Sequence, residues 1–227
     1  MILSSFPRIP HLPGSNASVE DLLLDDKAAR RFLSKRVVVF EKLDGLNVTF
    51  DLTGRGRVTT ALKSEWKGVL MQGVGRSLDI WIRQREDALR DLLQHGTLYG
   101  EWMRHQVHVP YDMLPDAFLG FALWRRRGGF MPQRAFARLL TAHGIASVTP
   151  VFAGRLSTMD ALVSHVGRSR YGKERMEGLI VEVDDDDSEH RFAKWVDPAY
   201  AHPKKGVLVG ALNTVRPLRQ RVRPTLR

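Results

Sequence analysis

Residues 37–50 read VVVFEKLDGLNVTF, and this stretch decides the fold of the chain. A β-branched apolar run leads to Lys42, Asp44 and Gly45, after which LNVTFDL alternates apolar and polar residues. These two patterns predict two β-strands, and the short interval between them predicts a β-hairpin. The charged residues are then either solvated at a strand end or directed into a site.

The rest of the chain predicts short strands joined by turns and interrupted by helices. Further strands are predicted at RVTTAL (57–62), TLYGEWM (97–103), AFLGFALW (117–124), EGLIVEV (177–183) and HRFAKWV (190–196). Helices are predicted near 19–33, 76–96, 131–144 and 157–170; capping boxes at Ser18 and Ser157 begin two of them, and Gly96 and Gly144 end the other two. This order favours an α+β fold with antiparallel sheets over a doubly wound parallel fold.

Length and composition describe an ordinary globular protein with an excess of positive charge. The 227 residues suit one domain with a small extension. The absence of cysteine excludes disulfides, zinc–thiolate sites and cysteine nucleophiles, and fits a cytoplasmic protein. No apolar run is long enough to span a membrane, and the first residues do not form a signal peptide.

The net charge is +10, from 35 Lys and Arg against 25 Asp and Glu. Such an excess indicates a polyanionic partner, of which nucleic acid is the commonest, although a high isoelectric point alone is not specific. The arginines concentrate at Arg125, Arg126 and Arg127 and in the tail 216–227. The tail could bind phosphates, and a solvated end of the chain is the alternative.

Familiar catalytic signatures are missing from the sequence. There is no Walker A motif, no G-x-G-x-x-G after a strand and no H-E-x-x-H. His105 and His108 are expected in an ordinary polar segment, and the aspartates 184–187 in a solvated loop. Taken alone, K-x-D-G at 42–45 is also weak, and an exposed lysine at a strand end is the simpler interpretation.

The order of six short motifs changes that interpretation. They are EKLDGLN (41–47), LKSEW (62–66), LYGEWM (98–103), FLGFALW (118–124), MEGLIVEV (176–183) and FAKWV (192–196). Together they resemble the motifs of the covalent nucleotidyltransferases, which are the ATP-dependent DNA and RNA ligases and the mRNA capping enzymes. The pattern around Lys42, with Glu41 before it and Asn47 after it, is most similar to the RNA ligase 2-like branch. The resemblance covers about residues 6–200.

This resemblance implies an α+β fold in which antiparallel sheets and flanking helices form a nucleotidyltransferase cleft, as in the ATP-grasp-like adenylation domains of ligases. It implies an adenylyltransferase domain at 1–205 and a basic extension at 206–227 with no OB-fold. It also implies an ATP-dependent RNA ligase that forms a lysyl-AMP and acts on nicked or broken RNA with Mg²⁺ or Mn²⁺. RNA is then held by the basic tail, the loop 125–127 or a protein partner.

Residue roles follow from the same resemblance. The implied catalytic residues are Lys42 as the nucleophile, Asp44, and Lys194, which together with the metal would lower the pKa of Lys42. The implied nucleotide contacts are Glu41, Lys63, Glu101, Phe121 and Glu177, of which Glu101 and Glu177 also bind the metal. The implied RNA contacts are Asn47, Arg125, Arg126 and Arg127.

Three positions depart from the family pattern. Lys63 stands where an arginine is usual, Arg125 stands where relatives often carry an acid, and Phe192 replaces the first lysine of the last motif, with Arg191 before it. The alternatives are a DNA ligase or guanylyltransferase of the same superfamily, or an inert RNA-binding module with the same fold.

Overall fold

The structure is a computed structural model that describes residues 5–63, 69–184, 190–200 and 210–216. Over those residues it contains eight strands and five helices. The strands are β1 (Arg36–Glu41), β2 (Leu46–Leu52), β3 (Val58–Lys63), β4 (Gly96–Trp102), β5 (Phe118–Arg125), β6 (Pro150–Arg155), β7 (Gly178–Val183) and β8 (Phe192–Val196). The helices are α1 (Asp26–Leu33), α2 (Val69–Arg83), α3 (Glu86–Leu93), α4 (Gln133–Ala142) and α5 (Met159–Val163).

The strands form two antiparallel sheets, in the orders β6-β1-β7-β8 and β3-β2-β4-β5. The α+β prediction is confirmed, but the predicted hairpin of β1 and β2 is wrong. β1 pairs with β6 and β7, whereas β2 pairs with β3 and β4. Residues 42–45 therefore cross from one sheet to the other, and the strand partners come from distant parts of the chain.

Both faces of β1 are buried, because one face packs on helices and the other faces the second sheet. Val37 and Val39 pack with α1 and α5 in one apolar core, while Val38 and Phe40 face the second sheet. The outer face of the second sheet packs on α2, α3 and α4 in a core of its own. Because side chains alternate along a strand, β1 reads as a continuous apolar run rather than an alternating one.

The helix predicted near 19–33 begins later, at Asp26, where Asp25 accepts a hydrogen bond from Ala28 N and caps α1. Ser18 N and Ser18 Oγ both donate to Asp21 Oδ2, at 3.0 Å and 2.8 Å, so only the first of the two bonds of a capping box forms. They do not begin a helix, because the chain then runs extended and Leu24 N donates to the carbonyl of His11.

The helix predicted at 76–96 is two helices, since α2 ends at Arg83 and α3 begins at Glu86. Gly96 does not end α3; it begins β4, where an added Cβ would lie 2.0 Å from the carbonyl oxygen of Trp124. The helix predicted from Ser157 is the short α5, capped by Thr158. Strand β6 was not predicted, and the aspartates 185–187 lie outside the described residues.

Residues 210–216 pack against the segment 104–114. Asn213 is buried, and its side chain accepts from Tyr111 N at 2.9 Å and donates to the Met103 carbonyl at 2.7 Å. The predicted boundary between a domain at 1–205 and an extension at 206–227 falls outside the described residues and stays a prediction. No helix in the described part of the chain is long and apolar enough to cross a membrane.

Candidate active site

A cavity of about 610 Å³ opens between the facing sheets. Its walls contain half of the residues that the sequence identified, namely Glu41, Lys42, Asn47, Glu101, Phe121 and Lys194. These residues come from β1, the crossing segment, β2, β4, β5 and β8. The fold thus collects on one surface side chains that are scattered over most of the sequence.

Lys42 follows the last residue of β1 and is fixed by its backbone, because Lys42 N donates to the Gly178 carbonyl at 2.9 Å. Its ammonium donates to Glu177 Oε1 at 2.5 Å, and the Glu177 side chain is only 4% exposed. Burial alone would lower the pKa of Lys42, but the carboxylates of Glu177, Asp44 and Glu101 outweigh it and raise that pKa. The lowering of the Lys42 pKa that is predicted for Lys194 together with a bound metal ion stays a prediction.

Glu101 faces the same ammonium from the second sheet. It lies opposite Asn47 in the β2–β4 register, and Asn47 Nδ2 lies 3.5 Å from Glu101 Oε2. Burial raises the pKa of Glu101 to about 8, although the charge of Lys42 opposes that shift. A bound cation would favour the ionised form, because an opposite charge stabilises a carboxylate.

The residues present suit a divalent cation that is bound by carboxylates of the protein and by phosphate oxygens of a nucleotide. Glu177 Oε2 is buried and has no hydrogen-bond partner, and Glu101 lies on the facing sheet. No group of three or more candidate ligands occurs among the described residues. Mg²⁺ is commonly bound by one or two carboxylates with phosphate oxygens and water completing its shell, so two carboxylates are sufficient.

The other end of the cavity is apolar and suits a planar base. The Phe121 ring packs edge to face on Phe6, with ring centroids 4.9 Å apart. Ile180, from the facing sheet, also lines the cavity. Glu41 Oε2 accepts from Arg170 N at 3.0 Å, whereas Glu41 Oε1 is buried without a partner. An unpartnered buried oxygen is costly, and an amine of a bound base would satisfy it.

A family model described as RNA ligase matches residues 35–196. The chain belongs to the RNA ligase family. The matched region includes Lys42, Glu101, Glu177 and Lys194. A search of curated proteins found no match.

Solved structures of RNA ligases share the fold of this family member. The RNA ligase of Naegleria gruberi with pyrophosphate is 16% identical, has a TM-score of 0.61, and aligns over 88% of this chain and 59% of its own. A variant of that enzyme with ATP and Mn is 14% identical, with a TM-score of 0.57 and the same coverage. An archaeal ATP-dependent RNA ligase is 18% identical, has a TM-score of 0.51, and aligns over 85% of this chain and 48% of its own. The chain thus spans about three fifths of the Naegleria enzyme.

Asp44 is placed as an anchor rather than toward the cavity. Its Oδ2 accepts from His108 N and Val109 N, each at 2.8 Å, and its own N–H is bonded to the Tyr111 hydroxyl at 3.0 Å. These bonds fasten the segment that carries Lys42 to the loop after β4. The catalytic role predicted for Asp44 remains a prediction, and the hydrogen bonds support a positioning role.

Gly45 is required by close packing within the protein. An added Cβ would lie 2.6 Å from Met103 Sδ, 2.7 Å from Glu101 Cγ and 2.9 Å from the Trp102 carbonyl. We expect Gly45→Ala to lower the free energy of unfolding by about 1–3 kcal/mol, as overpacking does. Urea denaturation measures the change, with Gly54→Ala as the control because nothing lies within 4 Å of that site. Equal stability of the two variants would contradict this packing argument.

The arginines 125–127 do not line the cavity. Arg126 donates to Asp51 Oδ1 at 2.5 Å and to the Leu93 carbonyl at 3.0 Å, and Asp51 also accepts from Thr97 Oγ1 at 2.8 Å. Their predicted contact with RNA remains a prediction.

The ion pair between Arg126 and Asp51 gives a second stability prediction. We expect Arg126→Ala to cost about 1–2 kcal/mol, because it leaves the buried Asp51 without its cation; the loss stays below that of a fully buried pair because the Arg126 side chain is 37% exposed. Thermal unfolding tests this, with the exposed Arg127→Ala as the control. A stability loss for Arg127→Ala equal to that for Arg126→Ala would refute it.

Lys63 and Arg191 both make contacts within the fold. Lys63 ends β3, and its backbone pairs with Asn47. Arg191 donates to Glu182 Oε1 through Nε at 2.9 Å and Nη2 at 2.8 Å, and Glu182 is also bonded to Gln133. Arg191 is thus engaged with Glu182, a residue of the cavity wall.

Sequence reasoning missed several charged residues of the site: Arg8, Glu20 and Glu182 line the cavity, and Asp21 pairs with a lysine of its wall. Lys194 Nζ lies 3.7 Å from Asp21 Oδ1, and burial lowers the pKa of Lys194 while Asp21 raises it. Asp21 was interpreted only as part of a capping box. Its pairing with Lys194 depends on contacts across most of the chain, which no local pattern reveals.

Proposed function

We propose that this chain is an ATP-dependent RNA ligase that joins RNA 3′-hydroxyl and 5′-phosphate ends. The observation that carries the proposal is the Lys42–Glu177 hydrogen bond of 2.5 Å beside a cavity that also contains Lys194, Glu101 and Phe121. A buried lysine beside a base, a second cation and an aromatic face is the arrangement that covalent nucleotidyl transfer requires. Family membership supports the same reaction.

In the first step, Lys42 Nζ attacks the α-phosphorus of ATP, the new N–P bond forms, and the bond to pyrophosphate breaks. The ammonium first passes one proton to Glu177 Oε1, which lies 2.5 Å away, and the proton that the nitrogen loses as the N–P bond forms leaves with the pyrophosphate. Lys194 lines the same cavity and offsets the charge that develops on the phosphate oxygens. The product is lysyl-AMP.

In the second step, an RNA 5′-phosphate oxygen attacks the AMP phosphorus and releases Lys42. In the third, the RNA 3′-hydroxyl attacks the 5′-phosphate, forms the phosphodiester and expels AMP. Glu177 and Glu101 would hold Mg²⁺ or Mn²⁺. When bound, the metal ion supplies positive charge that neutralises the phosphates.

The base end of the cavity suits a purine. Glu41 Oε1 is free to accept a hydrogen bond from the amine of adenine, and Phe121 provides a face for stacking that every base can use. Guanine also carries an amine and a ring N–H that a carboxylate accepts, so the choice of ATP rests on the resemblance to RNA ligases and the guanylyltransferase stays the alternative to be tested.

The net charge of +10 and the RNA ligase family together support RNA as the polyanionic partner. Nicked or broken RNA is the proposed substrate, the cytoplasm the proposed compartment, and a protein partner a further source of RNA-binding surface. The proposal concerns the whole reaction, whereas the chain spans about three fifths of the Naegleria RNA ligase.

The test is intact-mass measurement after incubation with ATP or GTP and Mg²⁺, followed by labelled nicked duplexes of RNA or DNA. The expected result is a mass gain of one AMP moiety from ATP and sealing of the RNA nick. An adduct from GTP alone would identify a guanylyltransferase, and preferential sealing of DNA a DNA ligase. No adduct with either nucleotide would identify an inert RNA-binding module.

A further inference from the structure

The segment before α1 forms part of the wall around Lys194. Lys194 N donates to the Pro10 carbonyl at 2.9 Å, and Leu12 N donates to the Lys194 carbonyl at 2.8 Å. This segment therefore runs along β8, which is the edge strand of its sheet. It hydrogen-bonds to the backbone of Lys194 along the free edge of β8, opposite the edge that pairs with β7.

The same segment presents a carboxylate to the Lys194 side chain. Asp21 Oδ1 lies 3.7 Å from Lys194 Nζ and 3.5 Å from His11 Nε2. Asp21 Oδ2 accepts from Ser18 N at 3.0 Å and from Ser18 Oγ at 2.8 Å. Ser18 thus holds one oxygen of the carboxylate and leaves the other toward the lysine.

His11 does not compete for this charge. Burial, followed by the charge of Lys194, lowers the pKa of His11 to about 4, so His11 is neutral at pH 7. The charged groups that act on Lys194 are then Asp21, Lys42 and Glu177. Lys42 repels it, whereas the two carboxylates favour its charged form.

Two ammonium groups on one cavity repel each other until a polyanion binds, so each needs a counter-charge. Glu177 supplies that of Lys42 at 2.5 Å. We propose that Asp21 is a positioning residue that supplies the counter-charge of Lys194, holding its ammonium at the phosphate end of the cavity before nucleotide binds. This inference rests on the proposed function for its catalytic consequence. A cation already in place needs no reorganisation during the reaction.

The first test measures Lys194 in the nucleotide-free protein. The substitution Asp21→Asn keeps the shape of the side chain and removes its charge. The loss of Asp21 lowers the pKa of Lys194, so more of the amine is neutral and an amine-reactive reagent should label it about threefold faster or more at the same pH. Peptide mass spectrometry resolves the labelling of each lysine.

The control is Asp26→Asn, which removes the same charge from an exposed position in the first turn of α1. It should leave the labelling of Lys194 unchanged. Ser18→Ala keeps the charge of Asp21 but removes one of its anchors, and should raise the labelling rate by less than Asp21→Asn. Labelling of Lys194 that is equal in the wild type and in Asp21→Asn would overturn the proposal, whatever the activity of the chain.

The second test measures the rate of lysyl-AMP formation against pH. We expect Asp21→Asn to slow it about tenfold, with a deficit that widens as pH rises, because Lys194 must stay charged and loses its proton sooner in the variant. On the acid side the deprotonation of Lys42 limits the rate, so the deficit is smallest there. A deficit that is constant with pH in a variant of unchanged thermal stability would assign Asp21 a merely structural role. No lysyl-AMP in the wild type would overturn the proposed function instead, and the labelling would still decide the contact.

Discussion

Replacing Lys42 with alanine is expected to abolish the covalent adenylate, lowering the rate of lysyl-AMP formation about a thousandfold or more. Lys42 is held in place for this reaction by its backbone bond to the Gly178 carbonyl and by its 2.5 Å contact with Glu177. The nearest alternative nucleophile on the cavity, Lys194, is paired with Asp21. Intact-mass measurement after incubation with ATP and Mg²⁺ detects the adduct directly.

The matched control is Lys27→Ala, an exposed lysine on α1. It should form the adduct at the wild-type rate, which separates loss of the nucleophile from loss of one positive charge. Peptide mapping of any residual adduct completes the experiment. An adduct of undiminished amount in Lys42→Ala would refute the assignment of the nucleophile.

Replacing Glu177 with glutamine is expected to change two measurements in opposite directions. Lysyl-AMP formation should fall about a hundredfold, because the variant loses the proton acceptor beside Lys42 and a carboxylate for the metal ion. In the nucleotide-free protein, however, Lys42 should react faster with an amine-reactive reagent. The Glu177 carboxylate raises the pKa of Lys42, so without it the ammonium loses its proton at a lower pH.

Faster labelling that is confined to Lys42 distinguishes this effect from misfolding, which would slow catalysis and expose all buried lysines together. Glu174→Gln is the control, since Glu174 is exposed and lies three residues earlier in the same segment. It should leave both measurements unchanged. Slower labelling of Lys42 in Glu177→Gln would show that the carboxylate does not hold the ammonium.

Local patterns predicted the strands around the cavity well, because β1 and β7 are central strands buried on both faces. Such strands read as continuous apolar runs, and VVVF and LIV are of that kind. The hairpin failed for a different reason. Which strand pairs with which is decided by packing between distant segments, and the spacing of β1 and β2 does not reveal that each has two other partners.

The site was predicted only in part, and the reason is similar. Lys42, Glu101 and Lys194 were identified through the order of their motifs, and all three line the cavity. Asp21 was hidden because its spacing from Ser18 is that of a capping box, whereas only one bond of that motif forms and no helix follows directly. The carboxylate pairs with Lys194 instead.

For the arginines 125–127 the local sequence was misleading in another way, because it suggested a ligand where the protein supplies its own partner. Arg126 stands in a run of three arginines that favours a phosphate contact, but its partner Asp51 is 75 residues away in the sequence. The composition of the sequence reveals only the run of three arginines. The ion pair becomes visible once β2 and β5 are placed in one sheet.

Asn213 has a consequence for the order in which the protein is completed during synthesis. Its side chain bonds to Tyr111 N, and the Tyr111 hydroxyl in turn bonds to Asp44 N beside the nucleophile. Lys42 is made early, but this support for its loop comes from a residue that is synthesised much later. The nascent protein therefore carries its reactive lysine on an incompletely supported loop until residue 213 has left the ribosome.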